Sequence, residues 1–439
     1  MSYVPGTACE RAEMLADIGC KSIDDLFACV PEAVRLKNTL NLPKAKTEFE
    51  VLSEIESIAA KNRRYKAIFR GAGAYNHYIP EAVKNLSARS EFVTAYTPYQ
   101  PEISQGILQV IFEYQSMICA LTGMDVSNAG VYDGATAAAE AFAMCCEKTR
   151  TKLITFSNIK PHVLSVLKTY ASSAGTLVEV IECADGLADL DALEAALDDT
   201  AACVYIEQPN YYGLIENAQE ISGLVHEKKA KLIMGCEPVS LAMLKTPAEC
   251  AADIAVGEAQ SLGLPLSFGG PYLGYMASTN ANMRKLPGRI VGKTSDAEGR
   301  DVYVLTLQAR EQHIRREKAS SSICSNEALC ALTATIYCAA VGREGIFEVA
   351  SQSYSKAHYA AKVFSSIPGF ALRFSGEFFN EFITDCPTDA NKVIAALAEK
   401  DILGGKILGC GRILWCVTEV NTKEQIDGVA AILREVAAV

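Results

Sequence analysis

Between residues 151 and 260 the chain alternates short apolar runs with amphipathic stretches, and this alternation narrows the possible folds more than any other feature. TKLITFS reads as a strand, PHVLSVLKTYASSAG as a helix, TLVEVIEC as a strand and DLDALEAALDD as a helix with Asp189 as its cap. CVYIEQP, KLIMGCE and ADIAVGEA are further strands, with the helix QEISGLVHEKKA between the first two. Such alternation specifies a mainly parallel sheet wrapped by helices, with ligands bound beyond the carboxyl ends of the strands. Glu207, Asn210, Glu237 and Gln260 fall at or just past such ends, which predicts a cleft there. The expected class is α/β.

The flanking segments read differently. Residues 1–65 form a helical arm, in which Ser22 and Asp24 start one helix and Phe49, Leu52, Ile55 and Ile58 stripe another. Residues 66–325 make the large α/β domain and residues 326–439 a small α+β domain. In the latter GFALRFS, EFFNEFITDC and RILWCVTEV are expected strands, and a last helix opens on a Thr422/Gln425 capping box. Ahead of the alternating region, VYDGATAAAEA turns into an alanine-rich helix with Asp133 or Thr136 near its start, a place where free N–H groups can hold an anion or where small residues simply pack closely. The stretch AYTPYQPEISQG is stiffened by Pro98 and Pro101 and suits either a preformed contact surface or a rigid corner. Residues 284–301 are a lid or an ordered surface hairpin. The glycine loop at 404–411 lacks the strand-before, helix-after setting of a nucleotide site.

Composition removes several function classes. With a net charge of -11 and no basic block, nucleic acid or an anionic membrane is not an expected partner. The alternating charges from Arg310 to Lys318 read as a salt-bridged helix face. Sixteen cysteines include no CxxC pair; most lie in apolar runs, as suits core residues in a reducing cytoplasm, and no metal site is expected. The N-terminus has no signal-peptide pattern, and the longest uncharged stretch, 328–342, reads as a buried helix too short to span a bilayer.

The strand ends carry the chemical signal. An acid closing one strand and a lysine some two dozen residues later are the pyridinium partner and Schiff-base residue of a pyridoxal phosphate (PLP) enzyme of this architecture. Glu237 and residue 260 have that spacing, but residue 260 is Gln, whose delocalised nitrogen is no nucleophile. Lys245 and Lys285 are the nearest lysines in sequence, and neither follows a strand at the needed distance.

GAGAYNHYIP (71–80), AYTPYQPEISQGILQ (95–109), VYDGATAAAEA (131–141), GEAQSLGLPLSFGGPYLGYMA (257–277) and REQHIRREKASSSICSN (310–326) together resemble the P-protein family of the glycine cleavage system, in its split, two-chain form. The resemblance runs from Tyr3 to the C-terminus. It implies a type I PLP-dependent transferase fold and a heterotetramer of two such chains with two second subunits, which hold the PLP. It also implies decarboxylation of glycine, with the aminomethyl group passed to the lipoyl arm of an H-protein. By that likeness Tyr96, Thr97, Pro98, Tyr99, Gln100 and Glu102, with Asn76 and His77, would reach the partner's active site. Asp133, Gly134, Thr136, Glu237 and Gln260 would mark a vestigial cofactor cleft. Two departures stand out: Glu237 where the family has Asp, and Lys160 where relatives align a histidine. The other readings are an autonomous PLP transferase or lyase and a purely architectural subunit.

Overall fold

The computed structural model describes residues 6–36, 38, 40–93, 96–409 and 411–438. It divides into two compact units, one ending at Arg63 and one beginning at Arg64. In the first unit, α1 (Ala8–Asp17) and α2 (Glu48–Ala59) each open on a threonine capping box, Thr7 with Glu10 and Thr47 with Glu50. Ser22 caps a short 3-10 turn over Ile23–Phe27. None of these helices contains a buried residue, so the apolar stripe Phe49, Leu52, Ile55 and Ile58 is exposed.

The second unit is built on a seven-stranded sheet of β1 (Val126–Ser127), β2 (Lys152–Phe156), β3 (Leu177–Ile181), β4 (Ala201–Gln208), β5 (Lys231–Cys236), β6 (Ile254–Glu258) and β7 (Gly274–Ser278), in the order β1-β7-β6-β5-β4-β2-β3. Only β7 opposes its neighbours; the other pairings are parallel. Both faces are covered, which is why the central strands are apolar without a break. Along β4 the side chains alternate between two cores, Val204 and Ile206 on one side and Cys203 and Tyr205 on the other.

Helix α3 (Pro101–Thr122) ends on Gly123, and α4 (Gly134–Cys145) is capped by the Asp133 carboxylate on Thr136 N. The excursion at 284–301 resolves into the first part of an ordered antiparallel hairpin, β8 (Ile290–Ser295) with β9 (Asp301–Thr306). The long helix α5 (Ala328–Ser365) is interrupted at Gly342, whose φ of 65° needs a residue without a Cβ.

Beyond it, β10 (Glu381–Asp385), β11 (Lys406–Leu408) and β12 (Arg412–Cys416) form a three-stranded antiparallel sheet around buried Trp415, and the capping box of Thr422 and Gln425 starts α6 (Lys423–Ala437). The glycine-rich 404–411 segment supplies β11 and the turn after it, with residue 410 outside the described residues. The predicted strand GFALRFS makes only a single bridge, Leu372 to Thr384. An alternating pattern does not secure a strand where the backbone finds no continuous partner.

Candidate functional site: a filled cleft and an exposed tyrosine loop

The strand ends do converge. Glu207 from β4, Glu237 just past β5 and Glu258 closing β6 line one cleft with Gly134 at the start of α4, Lys160 and His162 after β2, and Gly73 and Tyr75 from the preceding loop. Its side chains are spent on one another. Glu207 accepts from Lys160 N at 2.9 Å and Lys160 Nζ at 3.2 Å on one oxygen, and from Tyr205 OH at 3.0 Å on the other. Burial pulls the Lys160 ammonium down, but Glu207, with Glu381 and Glu237 beyond it, more than offsets this and leaves it above the ordinary lysine value.

Gln260, only 2% exposed, is held on both amide atoms. Its Nε2 donates to Tyr75 O at 3.0 Å and Leu264 O at 2.7 Å, while its Oε1 accepts from Tyr75 N at 2.8 Å. A lysine cannot reproduce this pairing, because it has no acceptor for Tyr75 N. Glu237 takes Ser240 N at 2.7 Å and the Ser261 hydroxyl. Tyr75 OH donates to Glu381 at 2.8 Å, a carboxyl that burial raises above its usual range.

The start of α4 is also occupied. Glu258 accepts from Gly134 N at 3.0 Å and from Leu273 N at 2.8 Å, so a carboxylate of the chain itself sits where a helix N-terminus would receive an anion. Position 134 has to be glycine, since a Cβ there would lie 2.8 Å from Glu258 N. Burial pushes the Glu258 carboxyl up to about 7, with the two backbone N–H groups opposing the rise. The cavity left within this network is about 30 Å³, against roughly 300 Å³ for a small-molecule site. A hollow of about 530 Å³ adjoins it, sharing Gly73, Ala135, His162 and Glu258 and running outward along Ala72, Tyr132, Asp133 and Tyr272.

Neither candidate lysine enters the cleft. Lys245 is exposed and bonds Gln219, while Lys285 Nζ donates to Met144 O at 3.0 Å, ten residues along α4 from Gly134 and so about 15 Å away.

The other predicted residues lie elsewhere in the same unit. Tyr96 is 94% and Tyr99 46% exposed; Pro98 is buried, and Gln100 and Glu102 are exposed at the start of α3. Thr97 O accepts from Tyr99 N at 2.9 Å, tightening the turn. Gln105 fastens the loop to the hairpin by donating to Pro101 O and Tyr303 O and accepting from Tyr303 N. His77 is turned inward: its Nδ1 meets Glu419 at 2.6 Å, and Asn76 O accepts from Thr418 Oγ1 at 2.7 Å.

Sequence reasoning missed Glu258, Glu381, Tyr75 and Tyr205 as parts of the cleft. Glu258 had a visible signal, an acid at the end of an apolar strand. Glu381 had none, being brought in from the C-terminal sheet. The salt-bridged face expected at 310–318 does not form: that segment is one short helical turn over Gln312–Arg315 and a 3-10 turn. Among the described residues Arg310, Arg315, Arg316 and Lys318 have no ion pair with a carboxylate.

The model of the family described as "Glycine cleavage system P-protein" matches residues 1–433. A "Probable glycine dehydrogenase (decarboxylating) subunit 1" of Moorella thermoacetica is 51% identical over 445 residues, covering 100% of both chains. A protein of the same name from Bacillus thuringiensis subsp. konkukian is 49% identical over 97% of each. Among solved structures, one described as glycine decarboxylase (P-protein) of the glycine cleavage system in inhibitor-bound form superposes with a TM-score of 0.92 at 40% identity, covering 99% of this chain and 100% of that one. The sphingosine-1-phosphate lyase of Burkholderia pseudomallei, at TM-score 0.68, 15% identity and coverage of 93% and 94%, shares the fold alone, that of type I PLP-dependent enzymes.

Proposed function

Because the chain belongs to the glycine cleavage system P-protein family, we propose that it is the subunit of a two-chain glycine decarboxylase that does not anchor the cofactor. The observation that carries this reading is the filled cleft. PLP needs a lysine, an acid for its ring nitrogen and free N–H groups for its phosphate. Here position 260 is a doubly held amide, both oxygens of Glu237 are engaged, and Gly134 N is already taken by the Glu258 carboxyl. The residues present do not fit the group.

PLP would be held on a lysine of a partner subunit in an α2β2 assembly, where it would supply the electron sink for loss of carbon dioxide from glycine, the aminomethyl group going to the lipoyl arm of an H-protein. This chain supplies shape and surface. The internal network of the cleft keeps the fold rigid in place of a cofactor, and the loop of Tyr96, Thr97, Pro98, Tyr99, Gln100 and Glu102 faces outward from it, already ordered by Pro98 and Gln105. Asn76 and His77 are tied to Thr418 and Glu419 within the chain. The described cysteines are all unpaired, which suits the cytoplasm.

The test is reconstitution with carboxyl-labelled glycine and lipoylated H-protein. The chain alone should release no labelled carbon dioxide, the mixture with its partner should, and Tyr96→Ala should lower the rate. Release by this chain alone would overturn the reading.

A further inference from the structure

Charged side chains buried in the second unit generally come with partners. Lys152 meets Glu179 and Asp198, Lys160 meets Glu207, and His77 meets Glu419. Arg289 lacks one. It is 1% exposed, among the largest fully buried side chains, and no carboxylate among the described residues pairs with it. Its Nη2 donates to Tyr99 OH at 3.2 Å, its Cζ lies 5.2 Å from the Tyr99 ring centroid, and its Nε has no hydrogen-bond partner.

Arginine does not give up its proton, so the chain cannot relieve this burial by neutralising the group, the route open to a buried lysine or glutamate. One hydroxyl and one aromatic face leave unused most of a fork that matches the two oxygens of a carboxylate.

The neighbouring residues carry unmet charge of both signs: buried Glu311 lies 3.5 Å from His313 Nδ1 through Oε2 and keeps Oε1 without a partner. Arg310 reaches Leu286 O, three residues before Arg289, with Nη1, while its Nε and Nη2 are buried without partners. The His313 ring packs edge-on against Tyr99 at 5.9 Å. The cover over Arg289 is therefore Tyr99, a half-exposed member of the loop that also carries Tyr96.

The geometry points to a carboxylate site that is completed from outside this chain: Arg289, with Arg310 near it and Tyr99 as its cover, receives a carboxylate brought to the tyrosine loop. That carboxylate belongs either to the free amino-acid substrate or to an acidic side chain of the partner subunit. The choice of source rests on the function proposed above; the existence of the site does not.

The first arm of the test uses the full chain alone, wild type and Arg289→Met, melted in increasing acetate. Removing an uncompensated buried charge should raise the midpoint by about 1–3 °C, and acetate should stabilise the wild type only. A lower midpoint in the variant together with no selective acetate effect makes Arg289 a packing residue and overturns the site. Stabilisation by inorganic phosphate but not acetate overturns the carboxylate assignment. Should Arg289→Met fail to fold, Arg289→Lys keeps the charge without the fork and must lose the acetate effect.

The second arm uses the reconstituted enzyme. A KM for glycine raised tenfold or more with assembly unchanged identifies the substrate's carboxylate. Assembly weakened tenfold with KM unchanged identifies the partner's side chain. If the active enzyme shows neither change, the site is wrong while the proposed function stands. If the wild-type mixture is inactive, the function fails and the acetate arm alone decides the site.

Discussion

The cleft at the strand ends and the face around Tyr99 belong to one unit and treat charge in opposite ways. In the cleft Lys160 is answered by Glu207, Gly134 N by Glu258 and Gln260 by backbone on both sides. Around Tyr99 the guanidiniums of Arg289 and Arg310 keep unpartnered N–H groups, Arg289 beneath the half-exposed Tyr99 ring, and Glu311 keeps an unpartnered oxygen. A network satisfied from within has no demand left for a ligand, whereas a surface carrying unmet charge is built to meet something. On the proposed function, the first region maintains shape and the second meets the partner.

The most damaging way to disturb the closed side is to halve its buried ion pair. Lys160→Met leaves Glu207, 2% exposed, without its cation and should cost about 3–5 kcal/mol in urea unfolding. A loss below 1 kcal/mol would mean that water already compensates Glu207. Gln260→Lys should cost about 1–3 kcal/mol, since Tyr75 N loses its acceptor in a buried place, and it should not create PLP absorbance. A stable, yellow Gln260→Lys protein would show that the cleft opens readily.

The acid at α4 gives a pH signature. The Glu258 carboxyl stands at about 7 in the folded chain against an ordinary 4.5. Between those values the folded state keeps a proton that the unfolded chain has released, so this group's contribution to stability is full below pH 4.5 and declines as pH rises through 7. Glu140, also pushed up to about 7 by burial, adds to the same slope. Glu258→Gln removes only its own part: the variant should gain on the wild type between pH 5 and 8, and parallel stability curves would contradict the assignment. On the open side, Tyr96→Ala should change the chain's stability by less than about 0.5 kcal/mol while weakening assembly with the partner, because a side chain 94% exposed has little to lose within its own fold.

How far the sequence anticipated each side follows from the range of the interactions. The strands ending at Glu207, Glu237 and Glu258 were legible because their apolar runs are local and both faces of the sheet are buried. Gln260 stood out because one residue type is required at that spacing. The filling of the cleft was not legible: Tyr75 and Glu381 are brought together from opposite ends of the second unit, and no local pattern records such a meeting. The Arg310–Lys318 stretch was misread for a related reason. Helical spacing of opposite charges forms bridges only if a helix forms, and the helical turn there covers just Gln312–Arg315. Arg289 gave no signal at all, since a lone arginine before a strand says nothing about its burial.

The central claim is that this chain's own cleft is closed to the cofactor and that the chemistry sits on a partner. The direct measurement is borohydride reduction of the assembled enzyme in the presence of PLP, followed by peptide mass spectrometry of both subunits. The account predicts a pyridoxyl-lysine on the partner and none at stoichiometric yield on this chain. A stoichiometric pyridoxyl-lysine on any lysine of this chain would contradict it.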